Sequence, residues 1–388
     1  MTNPTFLENL VAKLLSDESA NLDQTIIILP NKRAKIFLLE AFKKKLPTFT
    51  FAPEIKSIED YIQEMAKIRT VDSIELLFEF YSVYLSITGK EKQQTFEQFS
   101  NWAKTVLQDF NEIDRYLLNP KHVFSYLQDI EVIKRWGIEV EDKTALIDNY
   151  LEFWKLLPLY YESFYTHLKN KEIGYQGLIY REAVLNLENS ATNFENKKIV
   201  FAGFNALNRA EEKIVQFLIA KDVARIYWDI DAVFVNDVAH DAGLFVRRFK
   251  NTWPHFKNNP FEWITTHFSE EKNIQIIGTA KAIGQAKIVS GIVEKLTLDN
   301  PNGSLDKTAL VLGDENMLIP MLHSLPESVG NLNITMGYAS KNNPIQLLVS
   351  KLFKMHTNAL SRSESNYVFY YKDALDVLSN PVIESYVN

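Results

Sequence analysis

The sequence predicts an α/β protein of two parallel-sheet lobes, the first of them split by a large all-helical insertion. Three observations carry this expectation. Short apolar runs of β type alternate with helical stretches on both sides of the chain's middle. From about Asp72 to Leu187 helical periodicity continues without a convincing strand. The 388 residues, 46% hydrophobic and 23% charged, have an ordinary globular composition and are enough for more than one core.

In chain order, an amphipathic stretch over 4–15 precedes the apolar run 25–29 and a helix over 31–45. A continuous Ile-rich run bounded by turn residues predicts a strand buried on both faces. An extended piece, 49–55, leads to Ser57, which suits an N-cap with Asp60 at the third position of a helix over 58–68. In the helical block, Phe96, Phe99, Ala103, Val106, Leu107, Phe110, Ile113 and Leu117 follow a three-and-four spacing that lays one apolar stripe along a helix. Comparable stripes run over 121–136 and 145–168. Strands return at 197–201 and 223–228 around a helix over 208–220, and such alternation implies parallel strands in right-handed crossovers. After the loop-like HFKNNPFEW a second α/β run is predicted, with strands at 274–277, 308–312 and 333–336 and helices over 281–296, 316–324 and 344–355. A last helix, 366–378, closes no further domain, so the native chain is expected to continue.

A net charge of −7 gives no global basic field, so any contact with nucleic acid must come from local patches. The absence of cysteine excludes disulfides, a thiolate nucleophile, iron–sulfur ligation and Cys-based zinc sites, and fits a reducing cytoplasm. MTNPTFLENL lacks a cationic segment followed by an apolar one, and no apolar run approaches bilayer length, so neither export nor membrane insertion is expected.

The loop LPNKRAKIF follows the first strand, where an α/β nucleotide-binding protein places its phosphate loop. A P-loop needs glycines and a Lys followed by Ser or Thr. Here no Gly precedes Gly89 and Lys32 is followed by Arg33, which argues against ATP hydrolysis at this loop. Lys32, Arg33 and Lys35 at a helix start suit a nucleic-acid phosphate, or simply a solvated first turn. GTAKAIGQAK resembles a dinucleotide fingerprint but lacks the middle Gly, so it reads as a strand-to-helix turn. Asp229 and Asp231, at a strand's carboxyl end, suit either magnesium or a helix cap. Glu54-Ile55-Lys56 has the spacing of the short half of a PD-(D/E)XK nuclease motif, but no strand-borne Asp precedes it suitably. The histidines form no zinc motif and there is no G-x-S-x-G elbow, so no catalytic residue, metal or cofactor is predicted.

Taken together, IIILPNKRAKIFL, FAPEIKSIEDYI, QDFNEIDRYL, GLIYREAV, FAGFNALNRAEE with YWDID, and LGDENMLIPMLHSLP with NITMGY make the chain resemble AddB-type proteins over nearly its whole length. These are the helicase-like subunits of bacterial helicase-nucleases, with single-chain relatives in the PD-(D/E)XK nuclease family. The resemblance implies a P-loop NTPase-like, superfamily 1 helicase architecture with a degenerate ATPase loop. Residues 1–70 and 190–265 would form a first RecA-like lobe, 71–189 its helical insertion, 270–355 a second RecA-like lobe, and 356–388 the start of a further helical insertion.

In the family the nuclease domain lies C-terminal to this region, so the chain itself is expected not to cut DNA. Members with an intact Walker motif carry G-x-x-x-x-G-K-T where this sequence has LPNKRAKIF. On the resemblance, Lys32 and Arg33 match the degenerate phosphate loop and Ser57 the strand-end polar residue that faces single-stranded DNA. Gly203 and Phe204 match a first-lobe loop, and Thr335 to Tyr338 a second-lobe strand end. Phe204 and Tyr338 suit base stacking or packing between lobes. The expected function is non-catalytic DNA binding and scaffolding in DNA repair and recombination, on single-stranded or tailed duplex DNA, with an AddA-like subunit as a possible partner. Two alternatives stay open: a scaffold that docks a helicase or nuclease partner without touching DNA, and an NTPase with an unconventional phosphate loop.

Overall fold

In the computed structural model, which describes residues 4–16, 21–46, 51–127, 145–188, 197–261, 264–299, 305–337, 340, 343–362 and 367–387, helix α1 (Phe6–Ser16) precedes strand β1 (Thr25–Leu29). All five β1 residues are buried, as a strand covered on both faces requires. Helix α2 (Ala34–Lys45), strand β2 (Glu54–Ser57) and helix α3 (Ile58–Ala66) follow. Asn31 Oδ1 accepts from Ala34 N at 3.0 Å across the turn that leads into α2, and Ser57 Oγ accepts from Asp60 N at 3.2 Å as the side-chain cap of α3.

The described residues of the helical insertion include α4 (Ser73–Ile87), α5 (Phe96–Arg115), α6 (Ala145–Asn170) and α7 (Gln176–Leu185), with further helical residues over 120–127. Asp72 caps α4 by accepting from Ile74 N and Glu75 N, and Thr95 with Gln98 forms a capping box on α5. The predicted stripe on α5 is buried at Phe99, Ala103, Val106, Phe110 and Ile113. Its rings meet those of α4 and α6, with Phe80 at 5.2 Å from Phe99 and 5.0 Å from Phe164, centroid to centroid. Asp114, fully buried at the end of α5, accepts from Tyr161 of α6, from Tyr175 Oη at 2.5 Å and from Arg181 Nε of α7 at 2.5 Å. One carboxylate thus ties three segments of the insertion together. The stripe predicted over 121–136 runs beyond residue 127, outside the described residues.

The chain then returns as β3 (Lys198–Phe204), α8 (Arg209–Ala220), β4 (Ala224–Trp228) and α9 (Leu244–Thr252). The four strands form one parallel sheet in the order β2-β1-β3-β4. Side chains alternate across it. Ile26, Ile28, Ile199 and Phe201 face a core shared with α3, α8 and the insertion, while Ile27, Leu29, Val200 and Ala202 face α1 and α2. The insertion is therefore not an appendage, because its apolar side continues the core of one sheet face.

The chain divides into two units, Met1–Glu271 and Lys272–Asn388. The described residues of the second unit contain α10 (Ala282–Asp299), α11 (Leu318–Ser324), α12 (Pro344–Arg362), α13 (Tyr371–Leu378) and α14 (Pro381–Val387). The second parallel sheet expected from the sequence is not formed among them. Residues 274–277, 308–312 and 333–336 pair with no neighbouring strand, and Ile276 and Val311 are 94% and 89% exposed. An apolar run becomes a strand only where a ladder partner takes its backbone N–H and C=O groups, and these runs have none. The α/β architecture belongs to the first unit.

Candidate nucleic-acid interface

In a parallel sheet of this order the chain leaves β1 toward β2 on one side and comes back to β3 on the other. The crevice outside the carboxyl ends of β1 and β3 is then the place where such sheets hold ligands. The 30–33 turn, the start of α3 and the 205–208 loop all open there.

Lys32 stands in the first of these loops, 70% exposed, with Nζ 2.8 Å from Asp60 Oδ1. The hydrogen bond between them raises the Lys32 ammonium and holds the Asp60 carboxyl below its ordinary value. Arg33 and Lys35 are exposed and enter no close ion pair among the described residues, and the first turn of α2 carries no acidic residue. Lys35 and Lys67 line an open depression of about 730 Å³ beside β2. Acidic groups partly offset that basic rim: Lys56 lies 2.7 Å from Glu54 and also bonds Glu64, and Arg69 lies 3.3 Å from Glu75.

Three apolar side chains on the same helix face solvent, Ile36 and Phe37 most openly and Leu39 less so. Ile36 is 69% and Phe37 62% exposed, because the stripe that α2 buries is Leu38, Ala41 and Phe42. Arg33 and Phe37 are four residues apart and share one helical face. Sequence reasoning passed over Phe37. The signal was present in AKIFLLEAF, whose apolar residues exceed what one buried stripe can hold.

The other residues expected at the site lie elsewhere in role. Ser57 is 4% exposed and is fully engaged as a cap, accepting from Asp60 N and donating to Asp60 Oδ2 at 2.8 Å. Gly203 has φ +75 at a register shift between β3 and β4, the left-handed conformation that favours glycine. Phe204 corrects the expectation of a stacking ring. It is 3% exposed and packs edge-on against Phe201 at 6.1 Å, so neither face of its ring is open to a base. Thr335 is exposed in an extended segment of the second unit, and Tyr338 lies outside the described residues.

At two other helix starts the chain supplies its own carboxylates. At the start of α8, Glu211 Oε2 accepts from Asn208 N and Asn208 Oδ1 accepts from Glu211 N, both at 2.9 Å. Burial pushes the Glu211 carboxyl above its ordinary value. Asp231 accepts from Val233 N at 3.0 Å and Phe268 N at 2.9 Å, acting as a cap and loop anchor. Burial works against these bonds, yet they hold its carboxyl low. Among the described residues no cluster of three or more His, Asp or Glu could hold a metal ion, and no helix is long and apolar enough to cross a membrane. The chain matches no protein-family model and no curated protein.

Proposed function

We propose that this chain is a non-catalytic, helicase-like DNA-binding and scaffolding region of an AddB-type repair and recombination system, acting in the cytoplasm on single-stranded or tailed duplex DNA. The observation that carries the reading is exposed Arg33 at the carboxyl edge of a parallel sheet, with solvent-facing Phe37 one turn along the same face of α2 and exposed Lys35 on another face, beside β2. Cations there meet phosphates, and an exposed ring beside them takes a base face. In this reading the first unit is a RecA-like lobe with its helical insertion. Segments 274–277, 308–312 and 333–336 stand for the strands of a second such lobe, and an AddA-like subunit is the partner that supplies the motor. ATP has no place in the scheme, because Lys32 is engaged by Asp60 and the loop around it has no glycine.

Fluorescence anisotropy of a labelled, single-strand-tailed duplex tests this at two salt concentrations, with and without ATP and magnesium. Binding that falls with salt and ignores ATP is expected. A log–log slope of about −0.7 per phosphate engaged implies a slope of roughly −2 for three contacts. A second reading, a scaffold that docks a partner without touching DNA, is favoured by the net charge of −7. It gains if no binding is seen at any salt. ATP turnover lost in Lys32→Ala would instead favour an unconventional NTPase.

A further inference from the structure

The first unit has a second surface, on α8 and away from the α2 cations, with chemistry of its own. Arg209, Lys213, Phe217 and Ala220 recur along α8 at i, i+4, i+8 and i+11, which places them in one stripe about 16 Å long at roughly 1.5 Å per residue. That stripe forms one bank of a groove of about 430 Å³, and Trp253 and Pro254 contribute to the other. The floor is apolar. Trp253 is 1% exposed and its Nε1 donates to Glu212 Oε1 at 2.9 Å, while Glu212 Oε2 accepts from Arg248 Nη2 at 3.2 Å. The carboxylate in the wall is thus engaged by internal donors.

The rim is cationic. Arg209 and Lys213 are exposed and enter no ion pair among the described residues, and Lys221 Nζ stands 5.6 Å over the Phe217 ring. The first turn of α8 also carries Glu211 and Glu212, but Glu211 is taken up by the capping box with Asn208 and Glu212 by Trp253 and Arg248. On a chain of net charge −7, this is a local inversion of sign beside an apolar hollow.

We propose that the groove docks an acidic amphipathic segment of a partner protein. A large apolar side chain of that segment enters against Trp253 and Phe217, while neighbouring Asp or Glu side chains pair with Arg209 and Lys213. Two cations one helical turn apart, about 6 Å between Cβ atoms, match carboxylates on nearby residues of a peptide better than a single anionic group. The groove's length points the same way. The proposal does not depend on DNA binding, since none of its residues lies on α2.

The test is selection of a random displayed peptide library against the full chain, followed by anisotropy of the enriched peptides. Enriched sequences are expected to combine Asp or Glu with Leu, Phe or Trp. Their affinity is expected to fall at least about tenfold in the Arg209→Glu, Lys213→Glu double variant and in Ala220→Trp, which fills the groove from an exposed position. Arg33→Ala with Lys35→Ala should leave peptide binding unchanged, which separates this site from the DNA reading. Melting temperatures of the α8 variants equal to the parent's establish that they fold. Three results would overturn the proposal. One is enrichment of neutral or basic sequences, or of none. Another is equal binding after Ser replaces the apolar residues. The third is displacement of the peptide by a small aromatic carboxylate such as 4-phenylbutyrate at lower concentration than unlabelled peptide, which reassigns the groove to a small anion.

Discussion

Lys32 cannot meet a phosphate without leaving Asp60, so the pair sets a threshold on any anion that approaches the 30–33 turn. Replacing Asp60 by Asn removes the competitor while keeping an amide that can still receive the Ser57 hydroxyl hydrogen bond. Anisotropy with tailed DNA should then show affinity raised a few-fold and a steeper salt slope, roughly one further counterion released. An unchanged slope would place the phosphate track elsewhere. Phe37→Ala tests the neighbouring ring. Stacking is worth about 1–3 kcal/mol per base, so DNA affinity should drop roughly 5- to 150-fold. Because the ring is 62% exposed, thermal stability should hardly move. The cations of this site were legible in the sequence because Lys and Arg follow a strand and open a helix. Phe37 was not, since its outward position is fixed by which stripe of α2 packs against α1 and the sheet. Phe204 was misleading for a related reason. FAGF reads equally well as a loop or as a strand end, and a strand end under α8 is core.

Among the elements, the helical insertion depends most on one buried carboxylate. Asp114→Ala leaves Arg181 Nε, Tyr161 and Tyr175 without their shared acceptor inside the α5–α6–α7 junction. Loss of one partner from such a buried pair costs about 3–5 kcal/mol, to be read as a lower urea midpoint. A loss below about 1 kcal/mol would mean that the helices are held by ring packing alone. A second joint is sensitive to pH. Glu79 of α4 lies 2.6 Å from His167 Nε2 and 2.6 Å from Lys171 Nζ, on and just beyond α6. Burial alone would raise its carboxyl, but Lys171 and His167 outweigh that and hold it below its ordinary value of 4.5. The stabilisation from this joint is therefore complete above about pH 4.5 and is lost as pH falls through the lowered value. Melting temperature should decline more steeply below about pH 4.5 in the parent than in Glu79→Gln, and equal slopes would refute the coupling. The helices themselves were readable because stripes and caps are local: Asp72, Thr95, Ser57 and Asn208 stand where a cap is needed, each immediately before its helix. The joints between them were not. Asp114 and Arg181 are 67 residues apart, and nothing local couples them.

For the whole molecule, the same distinction between local pattern and distant pairing explains why the sequence reads true in one unit and not in the other. TIIIL in β1 and IVFA within β3 became neighbours in a sheet because both find ladder partners, Ile26 beside Glu54 and Ile199, and Ile199 beside Ala224. The apolar runs 274–277, 308–312 and 333–336 have the same texture, yet extended backbone without a neighbour keeps its amides in water. Hydrogen exchange measures that difference directly. Amides of β1 and β3 lie at the centre of a four-stranded sheet between two helical layers and should exchange only through unfolding of that unit. Amides of 274–277, 308–312 and 333–335 should exchange as fast as those of unprotected loops. Protection of all three segments in the free chain would show that they pair with one another and would restore the second parallel sheet that their composition predicts. Protection that arises only when DNA or a partner is added would mean that the missing ladder is completed on binding. The apolar side chains now exposed there, Ile276 and Val311 foremost, would then be covered in the same step.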